Sequence, residues 1–211
     1  MLWIALGIII SYLIGSIPTA YLFGRALKGI DIRNFGSGNV GATNALRVLG
    51  KWPGITVLIL DILKGFCVVF FLASILAQKI TNISTATLCV LFGASCICGH
   101  IWTVFLKFKG GKGVATMLGV FLGLSLKVVG PQFIIAVLLT WLLVFLITKI
   151  VSISSIVTSI SIPIYLILFC QSKILVIFAV LLSILIIIRH KANLKRFLQG
   201  KEPQLSFKKS A

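Results

Sequence analysis

The stretch VATMLGVFLGLSLKVVGPQFIIAVLLTWLLVFLITKIVSISSIVTSISIPIYLILFCQSKILVIFAVLLSILIII, residues 114–188, decides the fold: its only charges are Lys127, Lys149 and Lys173. A helix needs about 20 apolar residues to cross about 30 Å of hydrocarbon, and apolar runs of that length mark membrane spans. Lys127 with Gly130-Pro131, then Lys149, then Gln171-Ser172-Lys173 cut the stretch into pieces at 114–129, 132–148, 150–170 and 174–188. At 1.5 Å per residue the first piece reaches only about 24 Å, so it is short, or its neighbour is tilted or re-entrant.

Working outward, further apolar runs lie at 2–23, 53–76 and 86–106. The expectation is an all-α, polytopic integral membrane helix bundle with about seven transmembrane helices, or five if the short pieces pair. Either odd count puts the two termini on opposite sides. With seven spans, one side holds Arg25, Lys28, Arg33, Arg47, Lys51, Lys107, Lys109, Lys112 and Lys149. It also holds the tail's Arg189, Lys191, Lys195, Arg196, Lys201, Lys208 and Lys209, whereas the other side holds only Lys79, Lys127 and Lys173. Cationic loops stay in the cytoplasm, which places the N-terminus outside and the C-terminus inside. The first positive charge is Arg25, so the N-terminal run reads as a spanning helix rather than a cleaved signal.

Composition agrees. Of 211 residues 59% are hydrophobic and 11% charged, with a mean hydropathy of +1.17; a soluble domain carries about 25% charged residues. Disorder, collagen-like repeats and a disulfide scaffold are excluded. The net charge of +17 would suggest nucleic acid in a soluble protein, but no soluble basic face exists here. Cytoplasmic cationic loops and an anion-binding site account for it instead, with no nucleic-acid partner. The three acids, Asp31, Asp61 and Glu202, are too few and too scattered for a carboxylate-held metal, so phosphate chemistry falls to Lys, Arg and backbone amides. Cys67, Cys89, Cys96, Cys98 and Cys170 lie in apolar runs without a C-x-x-C pair and read as small hydrophobes.

Three polar segments, 24–52, 107–113 and 189–211, share the cytoplasmic face in this reading. One site built from all three, in a single membrane-embedded domain spanning 1–211, is the economical arrangement. In the first segment, Gly36, Gly38 and Gly41 surround Ser37 and Asn39 ahead of a short helical pattern that ends near Leu49-Gly50. Small residues before a helix leave backbone N–H groups for an anion. Asn44 and Arg47 share a face of that helix. A capped loop with a membrane-surface arginine fits the same residues.

The second segment, Lys107-Phe-Lys-Gly-Gly-Lys-Gly113, is not a Walker A loop, because Gly113 follows Lys112 where Ser or Thr is required. Gly110, Gly111 and Gly113 still allow close backbone approach, Lys112 supplies charge and a helix follows at once. A flexible basic turn is the simpler alternative. In the third segment a helix places His190 and Asn193 on one face, for packing or for chemistry. Asp61 and Lys64 have the same spacing inside a span and read as an ion pair.

These stretches resemble the bacterial acyl-phosphate-dependent glycerol-3-phosphate acyltransferases. The resemblance rests on Ser37-Gly-Asn-Val-Gly-Ala-Thr-Asn-Ala-Leu-Arg47, Gly110-Gly-Lys-Gly-Val-Ala-Thr116 and His190-x-x-Asn193. Gly15-Ser-Ile-Pro18, Asp61-Ile-Leu-Lys-Gly65 and Gly200-Lys-Glu202 extend it over about residues 11–203. Ile101-Trp102-Thr103 departs from the family pattern, which has an aromatic followed by Pro or Ser there.

The resemblance implies a seven-helix bundle in the bacterial plasma (inner) membrane with its site facing the cytoplasm. It implies acyl transfer from acyl phosphate to the 1-hydroxyl of glycerol 3-phosphate, giving lysophosphatidate and phosphate, the first step of phospholipid synthesis. No cofactor is implied, the chain is expected to be monomeric, and a soluble acyl-carrier-protein:phosphate acyltransferase would make the donor. The expected catalytic residues are His190, Ser37, Arg47, Lys112 and Asn193. Gly38, Asn39, Thr43, Asn44, Gly110, Gly111, Gly113 and Thr116 are the expected substrate-binding residues. Two other classes fit the composition: an organic-phosphate transporter, against which the charges sit at one face rather than at broken midplane helices, and a scaffold whose basic tail binds anionic lipid.

Overall fold

A computed structural model describes residues 1–205, so Lys208 and Lys209 lie outside the described residues. Helices and short turns make up the described chain, with no strand among the described residues. The chain divides into two compact units, Met1–Val128 and the part from Val129 onward.

In the first unit, α1 (Leu2–Ser16) and α2 (Thr19–Lys28) are separated at Ile17-Pro18. Proline has no N–H and pushes the preceding residue out of the helical region, and Ile17 is accordingly extended, at φ −57° and ψ 113°. Next come α3 (Ala42–Leu49), α4 (Lys51–Ala77) with a π-turn at Val68–Leu72, α5 (Thr85–Ile101) and α6 (Val114–Val129). The main helix pairs, α1 with α5 and α4 with α6, cross at glycines. A Cβ on Gly15 would stand 2.0 Å from the Cys96 carbonyl oxygen, and one on Gly119 1.9 Å from that of Ile62. In a membrane, where lipid is as apolar as leucine, such close backbone approach supplies the packing that holds helices together.

The second unit contains α7 (Pro131–Thr148), α8 (Val151–Phe169), α9 (Lys173–Arg189) and α10 (Lys191–Leu198). Pro131 opens α7 at a position where no N–H is needed. Helix α8 packs on both α7 and α9 and buries Ser152, Ser154, Ser155, Thr158 and Ser159. Ser154 and Ser155 donate to the carbonyls of Ile150 and Val151 one turn back, which satisfies their hydroxyls without water. Ser183 of α9 donates to the Ser159 carbonyl.

All seven apolar runs read from the sequence fall on helices. Five are long and apolar enough to cross a bilayer, namely Leu2–Lys28, α4, Thr85–Leu106, α7 and α8. Helices α9 and α10 together make a sixth candidate, bent by 59°, and α6 is the shorter apolar helix that its length predicts. The outward faces are apolar: Leu139, Leu143 and Ile147 of α7 are 60%, 61% and 74% exposed. Large exposed apolar faces mark a lipid-facing surface, so this is a multi-pass membrane protein.

Candidate functional site

The loop between α2 and α3 is held by its own charges. Asp31 accepts from the Arg33 backbone N–H and is forked by the Arg33 guanidinium, at 3.0 Å to Nε and 2.6 Å to Nη2. The Arg33 hydrogen bonds hold the Asp31 carboxyl down at about 2, far below its usual range. Arg25 and Arg33 both lie over the Tyr21 ring, 5.4 and 5.5 Å from its centre. Lys28 donates at 2.7 Å to the Val48 carbonyl in the last turn of α3. Arg47, on the solvent side of α3, is exposed and makes no hydrogen bond or ion pair among the described residues.

Asn44 turns inward. It is 1% exposed, its Oδ1 accepts from the Ser37 N–H at 2.8 Å, and its Nδ2 donates to the carbonyls of Phe35 and Ile32 at 3.1 and 3.3 Å. The side chain expected to grip substrate is thus occupied in shaping the loop that presents exposed Ser37 and half-buried Gly38 and Asn39. Asn44 and Arg47 are neighbours on the helix but face opposite environments. Thr43 is half-buried beside them. Gly36 must be glycine: its φ is +60°, and a Cβ there would stand 2.3 Å from Asn44 Oδ1.

The second segment folds back on the end of α5. Gly110 N–H donates to the Ile101 carbonyl at 3.1 Å and Gly111 N–H to that of His100 at 3.0 Å. These two amides were expected to face a phosphate; the structure commits them to holding the turn. Lys112 and the first turn of α6 follow directly on this turn. That helix begins at Gly113, φ +87°, without a capping side chain; α3 also follows a glycine without a capping side chain, the extended Gly41. Uncapped first-turn amides with the positive end of the helix dipole suit an anion. Lys112 is half-buried, and Thr116 is fully buried, its carbonyl against Gly65 of α4.

The first two segments meet. A small cleft between them is lined by Pro18, Thr19, Val40, His100, Gly110 and Gly111, and a Cβ on Gly111 would lie 2.9 Å from the Val40 carbonyl oxygen.

In the second unit, the α7–α8 turn and the tail meet likewise, with Leu205 N–H donating to the Lys149 carbonyl at 2.9 Å. Glu202 there accepts from Ser152 Oγ at 2.7 Å, Asn193 Nδ2 at 2.5 Å and Arg196 Nε at 2.8 Å. Burial raises the Glu202 carboxyl, but these hydrogen bonds outweigh it and leave the group below its ordinary value. His190 is 3% exposed, and its Nδ1 stands 2.8 Å from the Ile186 carbonyl. A carbonyl only accepts, so Nδ1 carries the hydrogen, and in the neutral ring Nε2 is the acceptor nitrogen.

Every acid in the chain is paired with a base: Asp31 with Arg33, Asp61 with Lys64, Glu202 with Arg196. Each side-chain carboxylate is therefore compensated by a cation. Sequence reasoning anticipated the Asp61–Lys64 pair. It missed what Thr19, His100, Thr103 and Glu202 do, because each has a partner far along the chain: Asp61 for Thr19 and His100, Ser16 for Thr103 and Ser152 for Glu202. The departure at Thr103 is filled by its hydroxyl, which accepts from Phe105 N–H and donates to the Ser16 carbonyl.

The glycerol-3-phosphate acyltransferase family model matches residues 5–200. A glycerol-3-phosphate acyltransferase of Macrococcus caseolyticus is 45% identical over 206 residues, covering 98% of this chain and 99% of that one. One of Prochlorococcus marinus is 42% identical over 201 residues, covering 94% and 96%. The crystal structure of PlsY (YgiH), described as an integral membrane glycerol 3-phosphate acyltransferase, superposes in its glycerol 3-phosphate form with a TM-score of 0.84 at 39% identity, covering 96% of both chains. Its lysophosphatidic acid form gives 0.80 at 38% identity, covering 96% of this chain and 95% of that one. Matched by the family model over nearly its whole length and by these relatives at 38–45% identity, this chain belongs to the glycerol-3-phosphate acyltransferase family of integral membrane enzymes.

Proposed function

We propose that the enzyme transfers a fatty acyl group from acyl phosphate to the 1-hydroxyl of glycerol 3-phosphate, yielding 1-acylglycerol 3-phosphate and inorganic phosphate. The hydroxyl oxygen attacks the acyl carbon, the bond from that carbon to the phosphate oxygen breaks, and phosphate leaves with the electron pair. The hydroxyl proton passes to His190 Nε2 or to the departing phosphate. Acyl phosphate is already activated, so orientation and charge stabilisation supply the acceleration without a covalent intermediate.

Lys112, Gly113 and the first-turn amides through Thr116 hold the donor phosphate in this reading, and the Gly110–Gly111 turn fixes their position. Ser37 and Arg47, with Gly38, Asn39 and Thr43, receive glycerol 3-phosphate; Arg47 suits bidentate phosphate recognition. Asn44 serves by shaping their loop. His190 and Asn193 are assigned catalytic roles in the same reading. The observation that carries the reading is the approach of the Gly111 turn to Val40, each just ahead of an uncapped helix start, with Lys112 beside one start and Arg47 on the exposed face of the other helix, in a chain whose every acidic side chain is paired with a base.

The same reading places the protein in the bacterial inner membrane as a monomer with seven crossings, the N-terminus outside and the loops cytoplasmic. A soluble acyl-carrier-protein:phosphate acyltransferase supplies its donor. The test is transfer by purified protein in lipid, from palmitoyl phosphate to labelled glycerol 3-phosphate, with palmitoyl-CoA in parallel. Lysophosphatidate from acyl phosphate alone is expected. Transfer only from the CoA ester would overturn the donor, and transport of organic phosphate without acyl transfer would overturn the function.

A further inference from the structure

Beneath the Gly110–Gly111 turn lies a set of buried polar side chains that the reaction itself does not use. Asp61 and Lys64, one turn apart on α4, are 1% and 7% exposed and form an ion pair at 2.9 Å. Charges within a membrane are costly and mark function more often than stability. A buried pair is also weak evidence for stability, because apolar residues of similar volume commonly do as well. The contacts of this pair all run toward the site.

Lys64 Nζ donates at 3.2 Å to the Ile17 carbonyl at the α1–α2 break, and Thr19 Oγ1, just past the break, donates to Asp61 Oδ1 at 2.5 Å. On its other side the break is tied to the exit of α5, where Thr103 Oγ1 donates at 2.5 Å to the Ser16 carbonyl. His100 Nδ1 stands 3.8 Å from Asp61 Oδ1. The carbonyls of His100 and Ile101 then receive the N–H groups of Gly111 and Gly110. A Cβ on Gly110 would come within 2.1 Å of the His100 carbonyl oxygen, so the turn has little freedom to shift. Between the ion pair and the turn, each step is a named bond or contact.

We infer that Thr19, Asp61, Lys64, His100 and Thr103 are positioning residues that fix the Gly110–Lys112 turn, and with it the phosphate of the substrate that the turn holds. This rests on the acyl-transfer reading. A displacement of about 1 Å in a catalytic group, even one caused far from the chemistry, costs about a hundredfold in rate, so the hub has enough leverage to matter.

Two sets of variants separate positioning from stapling of helices. Asp61→Asn with Lys64→Met removes both charges at similar volume and leaves neither one buried alone. Thr103→Val removes one hydroxyl, and Thr103→Ser restores it. Each protein, in lipid nanodiscs, is melted, assayed against both substrates, and followed by hydrogen exchange over residues 107–116. The expected result is folded protein whose KM for one substrate rises about tenfold or more while the other moves less than about twofold. Exchange at 110–113 should rise with α4 and α5 unchanged, and Thr103→Ser should behave as wild type. Unchanged KM values and unchanged turn exchange in folded variants would overturn the inference. So would a Thr103→Ser variant as impaired as Thr103→Val. An inactive wild type would instead overturn the acyl-transfer reading, and the exchange data would still decide the hub.

Discussion

Replacing Asn44 by alanine tests whether this residue shapes the loop or touches substrate. The side chain makes three hydrogen bonds, to Ser37 N–H, Phe35 O and Ile32 O. Each is worth about 0.5–1.5 kcal/mol net, and the two carbonyls keep a second lone pair for other donors, so the loss sums to about 2 kcal/mol. For a chain of this length that lowers the melting temperature by roughly 4–8 °C. Activity should fall further than stability, because Ser37 and Arg47 lose their fixed separation. Asn44→Asp is the sharper control: it keeps the acceptor for Ser37 N–H but turns two donors into a carboxylate facing two carbonyls. It should melt no higher than Asn44→Ala. Differential scanning fluorimetry in detergent, alongside steady-state kinetics, reads both quantities. An Asn44→Ala enzyme with wild-type melting and only a raised KM for glycerol 3-phosphate would refute the loop role and make Asn44 a direct ligand.

Lys112→Ala should leave melting within about 1 °C, since a half-buried cation at a loop adds little stability, and reduce kcat/KM for acyl phosphate by about a hundredfold or more; normal turnover would remove the loop from the site. His190→Ala should lower kcat and alter the pH–rate profile if Nε2 takes the proton, whereas a KM change alone assigns it to binding. Gly110→Ala should cost about tenfold or more in kcat/KM with the protein still folded, because the new Cβ meets a backbone oxygen. Glu202 has a depressed carboxyl in the folded protein. Its contribution is complete above the unfolded value of about 4.3 and fades as pH falls through the folded one. Melting of wild type and Glu202→Gln should therefore differ at neutral pH and converge in acid. A constant gap would refute the charge's role.

Much of this protein was legible in one dimension. Apolar runs such as 132–148 and 150–170 are too long and too uniformly apolar for barrel strands, which leaves the helix, where every backbone group is bonded within its own segment. The loops carried long motifs whose residue types already spoke of phosphate. The Asp61–Lys64 pair was visible too, because its two members are one helical turn apart.

What the sequence left undetermined depends on residues far apart along the chain. Asn44 and Arg47 read alike as phosphate ligands until the fold buried one and exposed the other. Gly110 and Gly111 read as a phosphate cradle, yet their amides are spent on the end of α5, a pairing that exists only after the loop folds back. Glu202 gains its meaning from Ser152, 50 residues earlier, and Thr103 from Ser16, 87 residues earlier. Local pattern fixes which segments become helices and which residue types are at hand. Which donors remain available to a substrate is settled by long-range packing, since a hydrogen-bonding group already satisfied by a distant neighbour is no longer on offer.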